Sequence, residues 1–485
     1  MFKEVLYGLS FLICVIACAR VRSRIFRQCL LVAVSFALYF TWGIWFAGIL
    51  FSSIVLNFLL GKWLRRNPSG RILSIGIILN LALLGSFKYL PEIAVTLPLS
   101  SLGRFSHLAL PLGISFWTFQ AMSYLFDLYR GEVLDPTFAE FALYMAFFPV
   151  VISGPICRMP EMLPQFRSEV TTPWNNITKG FARIATGILM MQLARLLGQG
   201  ILSGDGINTG FDRVPHWSGP DVWCLAFGYG LQLFFDFAGY SHIAIGAALA
   251  MGFTLPENFS RPYQSTTPSV FWTRWHMSLS FWIRDYVFLP LAVLRREVWW
   301  RNLVLVIAMI LFALWHKASL LFVLWGAYHG LLLVMHRQVQ QVRRTLNWNT
   351  ESVICTPISW MITIALVSLG WIFFRSNSLL QARQMLEEVL SPASYSSHYL
   401  SGSLYGLVAT FAAAYAIVLP TIEALDRSSN RLSNDAENGN AGVIALIARN
   451  RWLWVPPLYA VALLLVTVVT HTRGADAADF MYRNF

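Results

Sequence analysis

Apolar runs recur along this chain from residue 5 to residue 470, and nothing between them is long enough to bury a soluble core. This pattern restricts the fold more than any motif does. Backbone surrounded by hydrocarbon must satisfy its own hydrogen bonds, so only helices or a closed barrel can cross a bilayer. The runs are continuous rather than alternating, which selects helices. The expected fold class is all-α: a single polytopic transmembrane domain over residues 1–485, with about eleven spans plus re-entrant and interfacial helices.

Charge narrows the partners. Of 485 residues, 56% are hydrophobic and only 12% charged, yet the net charge is +12. The Lys and Arg stand in short clusters between apolar runs, as the positive-inside rule expects, and not in one basic domain. The partner they imply is the lipid bilayer; nucleic acid is not expected. Cys14, Cys18, Cys29, Cys157, Cys224 and Cys355 are scattered without a CxxC pair, so they read as small core residues, and no metal site is expected. Arg20, Arg22, Arg24 and Arg27 follow the first apolar run, Val5–Ala19, instead of preceding it. That order suits an uncleaved span better than a signal peptide.

The clusters set the topology. Residues 20–27 and "KWLRRNPSGR" (62–71) read as cytosolic, so residues 30–61 between them cross twice, turning near "TWG", with Trp42 and Trp45 at the far interface. Further spans are expected near 72–90, 108–127, 141–157, 178–203, 357–374, 405–423 and 452–470, with a span and a half in 222–253. "LLQARQMLEEVL" (379–390) has the pattern of an interfacial amphipathic helix, and 426–440 is a flexible polar loop.

"LFALWHKASLLFVLWGAYHG" (311–330) is apolar except for His316, Lys317 and His329. It lies between the basic segments 295–301 and 337–344. The residues from Asn302 to Trp315 make a helix of about 21 Å, short of the roughly 30 Å hydrocarbon core, which would leave His316 at membrane depth. An imidazole there is either hydrogen-bonded packing or part of a site. His329, 13 residues on, would face about 140° away on a continuous helix and reads as structural. In "NFSRPYQSTTPSVFWTRWHMSLSFWIRDYVFLPL" (258–291), a helical middle would put Trp272, Trp275, His276 and Leu279 on one face, with Arg284 and Asp285 near its end. "YGLQLFFDFAGYSHIAIG" (229–246) places Asp236 inside an apolar run, where an ionisable group is a functional candidate. Asp236, Arg284 and Asp285 are expected to make internal polar contacts, because unpaired burial is costly.

These three islands, together with "LPLGISFWTFQAMSYLFDLYRG" (110–131), "FPVVISGPICRMPEMLPQF" (148–166) and "LVSLGWIFFRS" (366–376), resemble in identity and order the membrane-bound O-acyltransferase (MBOAT) superfamily. The similarity is strongest to its bacterial polysaccharide branch, and within that branch to the membrane subunits of alginate O-acetylation. It covers 110–376, more than half of the chain. The resemblance implies an MBOAT fold with a buried central histidine in the bacterial cytoplasmic (inner) membrane. It also implies acyl transfer from a cytosolic thioester to a hydroxyl, with acetyl-CoA as donor substrate and no bound cofactor. The superfamily histidine falls on His316 in "LWHKAS" and the branch's second histidine on His276 in "WTRWHMS"; Lys317 stands where the branch carries Gly. Asp236, Trp272, Trp275, Arg284, Asp285, Trp315 and His329 are candidates for binding and support around them.

The implied acceptor is alginate or another exopolysaccharide. Peptidoglycan or cellulose acetylation and D-alanyl transfer from a carrier protein are alternatives within the class. A lipid or sugar transporter, or a scaffold for a secreted enzyme, are readings from other classes; the lack of an internal repeat counts against a transporter. Implied partners are a secreted or membrane-anchored SGNH-type acetyltransferase and the polysaccharide biosynthesis machinery. The tail 471–485 ends in "ADFMYRNF", resembling the branch's closing aromatic motif with Arg483 in place of a Phe. The resemblance makes Tyr482 the acyl relay to the secreted partner.

Overall fold

The computed structural model describes residues 2–91, 109–201, 205–212, 216–346 and 355–416. Every described element is helical. In chain order these are α1 (Phe2–Arg20), α2 (Arg24–Phe40), α3 (Ile44–Arg66), α4 (Gly70–Lys88), α5 (Ile114–Tyr129), α6 (Phe138–Ala146), α7 (Met159–Arg167), α8 (Trp174–Gln199), α9 (Ile207–Asp212) and α10 (Gly219–Ala250). There follow α11 (Pro268–Trp272), α12 (Met277–Ile283), a π-turn (Arg284–Phe288), α13 (Leu289–Ala292), α14 (Val298–His316), α15 (Leu320–Thr345), α16 (Cys355–Arg375), α17 (Leu379–Leu390) and α18 (Gly402–Ala416). Among the described residues seven helices are long and apolar enough to cross a membrane, and α18 and most of α1 are shorter apolar helices. The chain is a multi-pass membrane protein.

Several expected boundaries hold. The chain breaks at Thr41–Gly43, the expected "TWG" turn, between α2 and α3, and Ser69, within the 62–71 cluster, caps α4. The amphipathic helix at 379–390 is present, capped by Ser378 and burying Ala382 and Met385. Others change. The run 222–253 falls almost wholly in one unbroken 32-residue helix, Gly219–Ala250, and not in a span and a half. The expected span at 141–157 is a nine-residue helix, held by a Thr137–Glu140 capping box and followed by a non-helical passage from Phe147 to Arg158. Pro149, Gly154 and Pro155 explain that loss, since they withhold backbone donors or favour non-helical angles. The spans expected at 452–470, the 426–440 loop and the 471–485 tail lie outside the described residues.

Two compact units divide the chain, with boundaries inside α8, α10 and α14. One unit comprises residues 1–184, 240–260 and 276–304. Within it, α3, α4 and α5 pack closely because small residues meet large ones: Gly61 lies against the Tyr124 ring and Gly76 against Leu125. A buried amide pair joins α3 to α4, with Asn80 Nδ2 donating to Asn57 Oδ1 at 2.7 Å and Asn57 Nδ2 returning a bond at 3.2 Å. Such pairs satisfy polar groups that lipid could not.

The other unit comprises residues 185–239, 261–275 and 305–485. Within it α15 packs closely on the second part of α14. Gly326 and Gly330, one GxxxG step apart, let the helices approach until a Cβ at Gly326 would lie 2.7 Å from the Ile310 Cα, and one at Gly330 2.8 Å from the Val306 Cα. Asp221, at the start of α10, is fully buried and draws the 399–405 segment onto that helix. It accepts from Ser218 Oγ at 2.6 Å, Tyr405 Oη at 2.8 Å and the Tyr399 and Leu400 amides at 3.0 and 3.1 Å.

Candidate active site

His316 is the last residue of α14, and the chain stays non-helical only until Ser319 caps α15. The helix begins at Val298, four residues earlier than Asn302, and its 19 residues span about 28 Å, close to the hydrocarbon thickness. The short-helix argument for the depth of His316 therefore fails. What buries the imidazole, 3% exposed, is a cage of rings. Trp315 lies 4.6 Å away between centroids, Phe374 5.3 Å, Phe312 5.7 Å, Trp325 5.9 Å and Phe322 6.3 Å. These come from α14, α15 and α16. Packing of this kind stabilises by about 0.5–1.5 kcal/mol per aromatic pair and fixes ring orientation. Lys317 is exposed, so its ammonium stays outside the cage.

His329 and His316 stand on different helices, so the angular separation computed for a continuous helix does not apply. Trp325 joins them, with its ring 5.9 Å from His316 and 5.2 Å from His329. His329 is 0% exposed and packs against Trp272 at 5.1 Å, Tyr328 at 5.3 Å and Trp371 at 6.4 Å. Neither of its ring nitrogens has a hydrogen-bond partner among the described residues. Trp275 stacks on Phe271 at 5.5 Å and meets Trp371 at 4.9 Å. Thus Trp272, Trp275, Trp315 and His329 all belong to the ring system that continues from His316. Asp236, in the same unit, is buried at 6% exposure, as expected of an internal carboxylate.

Gly370 faces His329 so closely that any Cβ would overlap Nε2 and come within 3.0 Å of Cε1. The imidazole cannot retreat, because tryptophan rings hold it. Gly370→Ala is expected to destabilise the purified protein by about 1–3 kcal/mol, as overpacking does, lowering its melting temperature, and to weaken acyl transfer. Gly406→Ala, where a Cβ meets nothing within 4 Å, should do neither. Equal melting temperatures for the two variants would show that His329 is not wedged.

The second histidine is built differently. The expected single helical face through Trp272, Trp275, His276 and Leu279 does not exist. The helix stops at Trp272 and restarts at Met277, and His276 takes a left-handed backbone with φ 42°. Non-glycine residues hold that conformation only when their surroundings enforce it. Here Asn258 does so: Met277 N donates to Asn258 O at 2.8 Å and Ser278 Oγ to Asn258 Oδ1 at 2.6 Å, while Asn258 Nδ2 donates to Ser241 Oγ at 3.0 Å. Ile156 N completes the clamp by donating to Ser278 Oγ at 3.1 Å. His276 is 0% exposed, and burial pulls its imidazole down to about 3, which keeps it neutral.

In the same unit Asp285 pairs with Arg158 and Arg284, each at 2.7 Å. Burial opposes its ionisation, but those bonds outweigh it and hold the carboxyl below its usual range. Arg284 is exposed as well as paired, and its guanidinium lies over the Phe281 ring at 4.7 Å. The Tyr286 ring lies between the Arg130 and Arg158 guanidiniums, 5.0 and 5.1 Å away, and its hydroxyl donates to Asp127 at 2.7 Å. Asn258, Arg158, Tyr286, Trp325 and Phe374 were not singled out from sequence. All five lie in the quoted motifs, but the cage residues Trp325 and Phe374 look in sequence like any membrane aromatic. Tyr482 lies outside the described residues.

A buried imidazole that can exchange a proton, ringed by apolar groups that exclude water, suits transfer of a group that water would otherwise hydrolyse. Comparison with known proteins gives this geometry its class. Residues 94–374 match the model of the membrane-bound O-acyltransferase family, a region that contains both histidines, the ring cage and the Asn258 clamp. The chain is 33% identical over 413 residues to a probable alginate O-acetylase of Pseudomonas aeruginosa, covering 81% of this chain and 76% of that protein. It is 30% identical over 420 residues to a peptidoglycan O-acetyltransferase of Helicobacter pylori, with 79% and 77% covered. A teichoic acid D-alanyltransferase of Streptococcus thermophilus is 31% identical over 261 residues, 51% of this chain and 61% of its own length. The chain belongs to the membrane-bound O-acyltransferase family.

Proposed function

We propose that this enzyme, in a bacterial cytoplasmic membrane, passes an acetyl group from cytosolic acetyl-CoA outward for O-acetylation of an extracytoplasmic polysaccharide, alginate or a related exopolysaccharide. The buried, ring-caged His316 within the matched region carries the reading. His316 acts as general base. It takes the proton of the acceptor hydroxyl, whose oxygen attacks the thioester carbonyl; the carbon–sulfur bond breaks and the departing thiolate takes the proton from the imidazolium. His276, neutral and held in a fixed backbone turn, polarises or orients the acyl carbonyl. Tyr482 accepts the acetyl group and hands it to a periplasmic SGNH-type acetyltransferase working with the polysaccharide machinery.

Acetyl donation is favoured over D-alanyl donation because the acetylating relatives match about 80% of the chain and the D-alanyltransferase about half. Purified enzyme offered radioactive acetyl-CoA or a D-alanyl-charged carrier protein is expected to acquire label from acetyl-CoA alone. Label from the charged carrier alone would move the reading to D-alanylation. Passage of lipid or sugar without any acyl labelling would replace it with transport.

A further inference from the structure

The unit that holds His316 also carries an apolar groove that acyl transfer leaves unused. It runs between α10, α16 and α18. One cavity of about 460 Å³ is walled by Trp223, Ile364 and Val408, and the next, of about 340 Å³, by Leu231, Pro357 and Tyr415. Phe227, Trp360 and Ala412 line both, so the two are continuous. The helices that form it are apolar, and Asp221 pins the start of α18 beside α10. A groove on membrane-spanning helices is filled by what the bilayer supplies.

One end of this groove is not apolar. Gln264 Nε2 is buried there without a hydrogen-bond partner among the described residues. Tyr263 and Tyr415 are only 3% and 6% exposed; Trp371 bonds the Tyr263 hydroxyl oxygen and the Tyr263 backbone that of Tyr415, which leaves each hydroxyl a hydrogen to donate. Buried polar groups in native proteins are normally satisfied, so a ligand with acceptor oxygens is the economical partner for them. Arg261 and Arg274 are close enough to Tyr415 to act on it electrostatically. Arg261 is held in a left-handed backbone conformation, φ 53°, which fixes its place in the chain just before the turn that carries Tyr263 and Gln264. Trp360 Nε1 donates to Tyr263 O at 2.7 Å and fastens that turn to α16. By the positive-inside rule the basic end of α15, Arg343 and Arg344, is cytosolic, so Thr356 and Pro357 at the start of α16 place the polar end towards the cytosolic leaflet. That leaflet presents the anionic lipids.

We propose that the groove is a binding site for an anionic phospholipid. One acyl chain lies along α10, α16 and α18, and the phosphate oxygens accept from Tyr263, Tyr415 and Gln264 with Arg261 and Arg274 as countercharges. Its polar end adjoins the ring system of His316, since the Tyr263 ring lies 6.1 Å from Trp275, but the proposal does not depend on the transfer of acetyl.

Native mass spectrometry of the purified full-length protein, supplied with phosphatidylglycerol or phosphatidylcholine, tests this. Wild type should retain phosphatidylglycerol in preference to phosphatidylcholine. Ala412→Trp, filling the point where the two cavities meet, should lower retention at least about ten-fold, the loss of a buried apolar chain. Arg261→Gln should weaken phosphatidylglycerol about five-fold and leave phosphatidylcholine unchanged. Unchanged melting temperatures would show that the variants fold; if Ala412→Trp does not, Arg261→Gln decides. Equal retention of both lipids by wild type, or of phosphatidylglycerol by wild type and Arg261→Gln, would overturn the proposal. Competitive displacement of the lipid by acetyl-CoA would overturn it too, by making the groove a donor site.

Discussion

His316→Ala is expected to lower acetyl transfer about 10²–10⁴-fold, the usual worth of a positioned general base. The loss should fall on kcat with little change in KM for acetyl-CoA, because proton removal is felt in the transition state and not in donor binding. A void among Phe312, Trp315, Phe322, Trp325 and Phe374 would by itself cost some stability, so His316→Gln is the companion variant. It keeps most of the volume and a polar tip but cannot serve as the base. Both variants should purify as folded protein with similarly low activity. Glutamine supporting near-normal transfer would leave His316 a packing residue.

Tyr482→Phe is expected to abolish polysaccharide acetylation while leaving expression and melting temperature unchanged. The substitution keeps the aromatic body and removes only the hydroxyl that would carry the ester. Phe480 and Phe485 flank it and can anchor the tail by burying apolar surface, each worth up to about 1.5–3 kcal/mol. Mass spectrometry of wild type trapped with acetyl-CoA in the absence of the downstream enzyme should find the acetyl group on the peptide containing Tyr482. Normal glycan acetylation by Tyr482→Phe would reduce the tail to a docking element.

How much of this was legible in the sequence depended on whether a residue's meaning was local. His316 stood out because an imidazole inside an apolar run has few bland explanations, and the "TWG" turn was visible because Gly43 stands between two apolar stretches bounded by charge clusters. The cage around His316 was not legible. Trp325 and Phe374 lie 9 and 58 residues away in sequence, and a ring that faces an imidazole reads the same as one that faces lipid. The left-handed turn at His276 was hidden for a different reason. Nothing in "WTRWHMS" forbids a helix, and the break is imposed by Asn258 from outside the segment. Gly326 and Gly370 carry a similar lesson: each is conspicuous only once its neighbour is known.

The central claim is that this chain moves an acetyl group from a cytosolic thioester to an acceptor across the membrane through His316. The direct measurement uses oriented proteoliposomes, with radioactive acetyl-CoA confined to the cytosolic face and the downstream acetyltransferase with its glycan on the other. Label is expected on the glycan with wild-type protein and at background with His316→Gln, while intact acetyl-CoA stays on its own side. Label reaching the glycan equally in both proteins, or intact acetyl-CoA crossing the membrane, would contradict it.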